Sequence, residues 1–108
     1  MTNGIVILST VSSQQEGELI ATKLVNDHVA ACVNIIPKIF SIYRWQGEVH
    51  KDEELLLIIK TIQQKETQVY DIIKDMHSYD TPELITFDMK NIEDKYANWV
   101  NSTINETP

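Results

Sequence analysis

Residues Leu55 to Ile59 read L-L-L-I-I, an unbroken apolar run held between Glu53-Glu54 and Lys60-Thr61. Side chains on a strand alternate between the two faces of a sheet, so a run that is apolar at every position needs cover on both sides. Gly4 to Thr10 (G-I-V-I-L-S-T) repeats the pattern, with Ile5 and Ile7 pointing opposite to Val6 and Leu8. A chain carrying two such strands must build a sheet with two apolar faces and find a covering for each.

The coverings are read from the remaining segments. Ser13 stands three residues before Glu16, the spacing of a capping box, and Ile20, Leu24 and His28 follow at helical intervals, with Ala21 and Val25 alongside. Cys32 to Trp45 is rich in Val, Ile, Phe and Tyr and is interrupted by Pro37, which predicts an edge position, a bulge or a break. Gln46-Gly47 predicts a hairpin turn, and Glu48 to Glu53 forms the polar, water-facing start of the returning strand. Val69, Ile72, Ile73 and Met76 fall at i, i+3, i+4 and i+7, the apolar face of a second helix. Pro82 bars its continuation. Glu83 to Met89 follows as a strand, with Ile85, Phe87 and Met89 on one face and Leu84 on the other. A last helix carries Tyr96, Trp99, Val100 and Thr103, with Asn91 as its N-cap.

The order is β-α-β-β-α-β with a helical tail, which predicts an α+β fold: a ferredoxin-like sandwich with a long hairpin between its second and third strands and a C-terminal helix. Residues 1–108 are read as one domain, because no Pro-, Gly- or Ser-rich stretch divides them. Two helices cover one face of such a sheet. The second apolar face would exceed the exposed patch that soluble monomers carry, so the expected cover is another copy of the chain in a closed homo-oligomer.

Charge and composition exclude several classes. Sixteen acidic against nine basic residues give a formal charge of −7, and no Lys/Arg cluster is present to neutralise phosphates, so nucleic acid is not an expected partner. No apolar run approaches the roughly 20 residues needed to cross a bilayer. The N-terminus lacks a secretory signal, and the single cysteine, Cys32, permits no intrachain disulfide; both point to the cytoplasm. His-x-x-x-His and Cys-x-x-Cys spacings are absent. Cys32 reads as a small buried hydrophobe, His28 as a helix-end residue and His50 as solvated in the hairpin. Ser9, Ser41 and Ser78 have no evident base beside them, so no enzymatic activity is expected.

The segments A-A-C-V-N-I-I-P (Ala30 to Pro37), S-I-Y-R-W-Q-G-E-V (Ser41 to Val49), E-L-L-L-I-I-K-T (Glu54 to Thr61) and H-S-Y-D-T-P-E (His77 to Glu83) closely resemble the CutA, or divalent-cation-tolerance, family. The resemblance runs in order from Val6 to about Trp99. It implies a cytoplasmic homotrimer whose hairpin arms knit the subunits together, and a link to copper and other divalent metals without a required cofactor. It also implies an architecture shared with the PII signalling proteins; animal members are associated with anchoring acetylcholinesterase. No enzymatic reaction is established for the family. In some bacterial relatives the proposed copper ligands are a cysteine ending the first strand and two adjacent histidines after the second helix; the matching positions here are Ser9, Met76 and His77. Only His77 keeps a strong donor, and Met76 reads as core packing.

The resemblance also implies a crevice between subunits lined by Tyr43, Trp45, Lys60, His77, Tyr79 and Glu83, with Tyr96 as an outer member. Such a set suits a small-ligand pocket, and equally suits aromatic anchors of an interface. Three functions follow as expectations: a non-enzymatic protein responding to metal ions through weak copper or divalent-cation binding, a PII-like sensor of a small anionic ligand, and a trimeric scaffold for another protein.

Overall fold

A computed structural model describes residues 3–106. Strand β1 (Gly4–Val11) leads into helix α1 (Gln14–Asn26), and strands β2 (Cys32–Trp45) and β3 (Glu48–Ile62) form the long hairpin. A 3-10 turn at Gln63–Lys65 precedes helix α2 (Glu66–Met76), followed by strand β4 (Ile85–Asp88) and helix α3 (Asp94–Ile104). The sheet is antiparallel throughout, in the order β2-β3-β1-β4.

Register assigns the two faces. Ile7 pairs with Ile59 and Ser9 with Leu57, while Leu8 pairs with Ile58 and Val6 with Lys60. Ile5, Ile7, Leu57 and Ile59 form the main core with Ile20 and Leu24 of α1 and Val69 and Ile73 of α2. Thr61 lies in the same layer, and its hydroxyl donates to the Val29 carbonyl at 2.6 Å, so this buried polar group is satisfied. Ser9 also lies here, fully buried, with no hydrogen-bond partner for its hydroxyl.

The opposite face is covered only at one end. There Val100 and Ile104 of α3 pack with Ala31, Ile62 and Ile92 in a second, smaller core. Beyond it Val6, Leu8, Leu56 and Ile58 are half-buried, and Ile36, Ile85 and Phe87 are exposed.

Local chemistry accounts for the irregularities. Pro37 lies in a bulge: the pairing of β2 with β3 shifts between Ile36 and Ile39, and Lys38 takes a φ of 59°. Gln46 and Gly47 both have positive φ, at 52° and 80°, the combination a two-residue type I′ hairpin requires. Ser13 caps α1 by accepting the Glu16 N–H at 3.2 Å. The Glu16 carboxylate, expected to close the capping box, turns instead to Ser78, 62 residues away.

Three expectations change. The last strand is Ile85–Asp88, shorter than Glu83 to Met89. α3 is capped by Glu93, not Asn91, and the Glu93 carboxylate accepts the Tyr96 N–H at 2.9 Å. That helix buries Ala97, Val100 and Ile104, leaving Tyr96 and Trp99 exposed. Cys32, expected to be buried, is half-buried on β2 at the edge of the sheet.

Candidate functional site

Beyond the Pro37 bulge the β2–β3 hairpin continues past the end of β1, and the loop after α2 lies beside it. Between them lies an open pocket of about 650 Å³. The hairpin supplies Ser41, Ile42, Tyr43 and Trp45; β3 supplies Glu54; β1 supplies Thr10. The loop supplies Tyr79, Asp80, Thr81 and Glu83. Of the expected crevice residues, Tyr43, Trp45, Tyr79 and Glu83 thus share one pocket.

Lys60 and Tyr96 lie apart from it. The Lys60 ammonium sits over the Tyr96 ring, 5.9 Å from its centroid, and Tyr96 in turn contacts Trp99 with ring centroids 5.5 Å apart. The expected cluster therefore divides in two: an acidic, aromatic pocket, and a cation-over-ring pair against α3.

His77 supports the pocket from behind. Its side chain is wholly buried. Nε2 lies 2.7 Å from the Thr10 carbonyl oxygen, and Nδ1 lies 3.0 Å from the Tyr79 N–H. A carbonyl only accepts and a backbone N–H only donates, which makes the ring neutral with its proton on Nε2 and its lone pair on Nδ1. That lone pair, the atom a metal would need, is occupied by Tyr79. At the other two positions matched to copper ligands, the Ser9 hydroxyl is buried in the core and Met76 packs against that core. Among the described residues no group of three or more His, Cys, Asp and Glu side chains is disposed to hold a metal ion.

Two carboxylates missed by the sequence reading organise the region. Glu54 is only 7% exposed and accepts the Tyr79 hydroxyl at 2.7 Å. Burial, followed by that bond to a carboxylate, pushes the Tyr79 phenol well above the usual tyrosine range. The Tyr43 hydroxyl donates to Asp52, which likewise raises its titration. Glu16 accepts the Ser78 N–H at 2.7 Å and the Ser78 hydroxyl at 3.1 Å, tying α1 to the loop. Burial opposes its ionisation, but the hydrogen bonds from Ser78 and Ser12 outweigh burial and hold its carboxyl below the usual value. A glutamate beside the apolar run of β3 and a glutamate in the first turn of α1 gave no signal of these long-range roles.

The other histidines also have contacts. His28, in the left-handed region at φ 60°, has Nδ1 3.2 Å from the Thr103 carbonyl and joins the end of α1 to α3. His50 stacks on Tyr43, with centroids 5.6 Å apart.

The chain is similar to known proteins along nearly its whole length. The chain is 41% identical to the divalent-cation tolerance protein CutA of Thermus thermophilus, over 88% of this chain and 92% of that one. It is 42% identical to the chloroplastic protein CutA of Arabidopsis thaliana, over 94% of this chain but only 56% of the longer plant protein. The crystal structure of CutA1 from Oryza sativa superposes with a TM-score of 0.93 at 37% identity, covering 98% of this chain and 97% of that one. The model of the CutA1 divalent ion tolerance protein family matches residues 5–103, and the chain belongs to that family.

Proposed function

We propose that this protein works without catalysis, as a cytoplasmic, ferredoxin-like homotrimer in the response to metal ions, binding copper or another divalent cation weakly and requiring no cofactor. Assembly is supported by the half-open sheet face: Val6, Leu8, Leu56, Ile58, Ile85 and Phe87 make an apolar surface that α3 covers at one end only. Family membership supplies the link to divalent cations.

The observation that carries weak binding is His77. Copper can take its Nδ1 only by displacing the Tyr79 N–H and entering a wholly buried position. The same contacts argue against catalysis. Ser78, Glu16 and His77 come together, but the Ser78 hydroxyl donates to Glu16, whose lowered titration makes it a weak base, and both His77 nitrogens are engaged elsewhere, so no imidazole faces the hydroxyl. A sensor of small anions is not favoured, since the pocket lining contains no lysine, arginine or histidine and Lys60 lies over Tyr96.

Sedimentation velocity at micromolar concentration is expected to give a trimer; a stable monomer overturns the reading. Calorimetry against Cu(II), Cu(I) and Zn(II) should show weak uptake. Cu(II) binding should disappear in His77→Ala and change little in Cys32→Ser. Tight Cu(II) binding that survives His77→Ala would place the ligands elsewhere.

A further inference from the structure

The pocket beneath the hairpin has a composition that metal binding does not explain. Its rings are Tyr43, Trp45 and Tyr79, and its charges are the carboxylates of Glu54, Asp80 and Glu83. Glu54 is the telling member. A carboxylate this buried is normally matched by a cation. Its hydrogen-bond partner is the neutral Tyr79 hydroxyl, and among the described residues no lysine, arginine or histidine forms an ion pair with it. Trp45, the ring with the strongest attraction for cations, is 53% exposed at the pocket's rim.

We propose that this pocket binds an organic ammonium ion, with its apolar body among the three rings and its charge toward Glu54 and Glu83. A bare metal ion fits poorly. Hard cations need several oxygens gathered within coordination distance, whereas these carboxylates are not grouped to hold one. A volume of about 650 Å³ suits a small organic molecule rather than an ion. Rings and carboxylates together match an ammonium group on a carbon frame: the ring faces attract the cation, and the carboxylates neutralise it. This inference is independent of the copper reading, which rests on His77.

The test is a titration of the full chain with benzylammonium and, in parallel, benzyl alcohol, which has nearly the same shape without the charge. Binding is followed by calorimetry and by the indole N–H signals of the two tryptophans. Benzylammonium is expected to bind at least about tenfold more tightly than the alcohol. It should shift the Trp45 signal and leave Trp99, on α3, in place. Glu83→Gln, an isosteric change on the loop, should weaken benzylammonium about threefold to tenfold while leaving the alcohol unaffected. Trp45→Ala should weaken it by about tenfold. Equal affinity for the two probes, a shift of Trp99 instead of Trp45, or no uptake of benzylammonium at millimolar concentration would overturn the proposal. The last outcome includes a pocket already filled by a neighbouring copy of the chain. Competition by Zn(II) that survives His77→Ala would mean that the pocket is a metal site after all and would also overturn it.

Discussion

Ile58 and Ile59 are adjacent, alike in chemistry and paired to the same strand, yet they belong to different problems. Ile59 is fully buried between the sheet and α1 and α2. Ile58, on the opposite face, remains half-buried beside Leu8 because α3 reaches only the far end of that face. One face is completed by the chain itself, and the other is left half open. In the assembly proposed above, the first governs whether the chain folds and the second how many chains come together.

Substitutions can break or sharpen that contrast. Ile58→Glu should have the largest effect. If this face is the contact of the proposed trimer, a charge buried there unpaired should raise the dissociation constant by about a hundredfold or more. The far-UV circular dichroism of the subunit should persist; a trimer unchanged by sedimentation would mean that this face is not the contact. Ile59→Ala should do the reverse, lowering stability by about 3 kcal/mol in denaturant unfolding at fixed protein concentration, by loss of burial and creation of a cavity. If the folded mutant also dissociates, the two faces are not separable.

Glu16→Gln sharpens the contrast on the folding side. Losing a charged acceptor for the Ser78 N–H should cost about 1 to 2 kcal/mol at neutral pH. Because the folded carboxyl titrates below its ordinary value of 4.5, its contribution is complete above that value and fades as pH falls through the lower folded one. The stability difference between wild type and Glu16→Gln should therefore shrink on acidification. A difference independent of pH would make shape, not charge, the source. Smallest is Lys23→Ala, which removes an exposed i,i+4 pair with Asp27 at 2.8 Å and should change stability by about 0.5 kcal/mol or less.

What the sequence disclosed follows the range of each interaction. β1, β3, the Pro37 bulge, the Gln46-Gly47 turn and the Ser13 cap are all legible, since each depends on alternation or on residues a few places apart. Even the open face is legible, from the apolar character of Val6, Leu8 and Ile58. The cap of α3 was misplaced because Asn91 and Glu93 can both cap, and only the path of the chain decides. The pocket was legible in part. Tyr43, Trp45, Tyr79 and Glu83 carry their aromatic or acidic character openly. The burial of Glu54 and the turn of Glu16 toward Ser78 depend on contacts 25 and 62 residues apart, which no local pattern announces.

The hairpin arm has a kinetic consequence. β1 pairs with β3 only from Leu55 to Ile62, so from Glu48 to Glu54 the arm is a two-stranded ribbon. Its outer residues Phe40, Ile42, Trp45 and Val49 are all more than half exposed. Such a ribbon is marginal in water by itself. A newly made chain should therefore finish its sheet before its arm. In the proposed trimer the arm's amides exchange with solvent until another chain arrives, so the last phase of refolding should be second order in protein, slowed by dilution while the earlier phases are untouched.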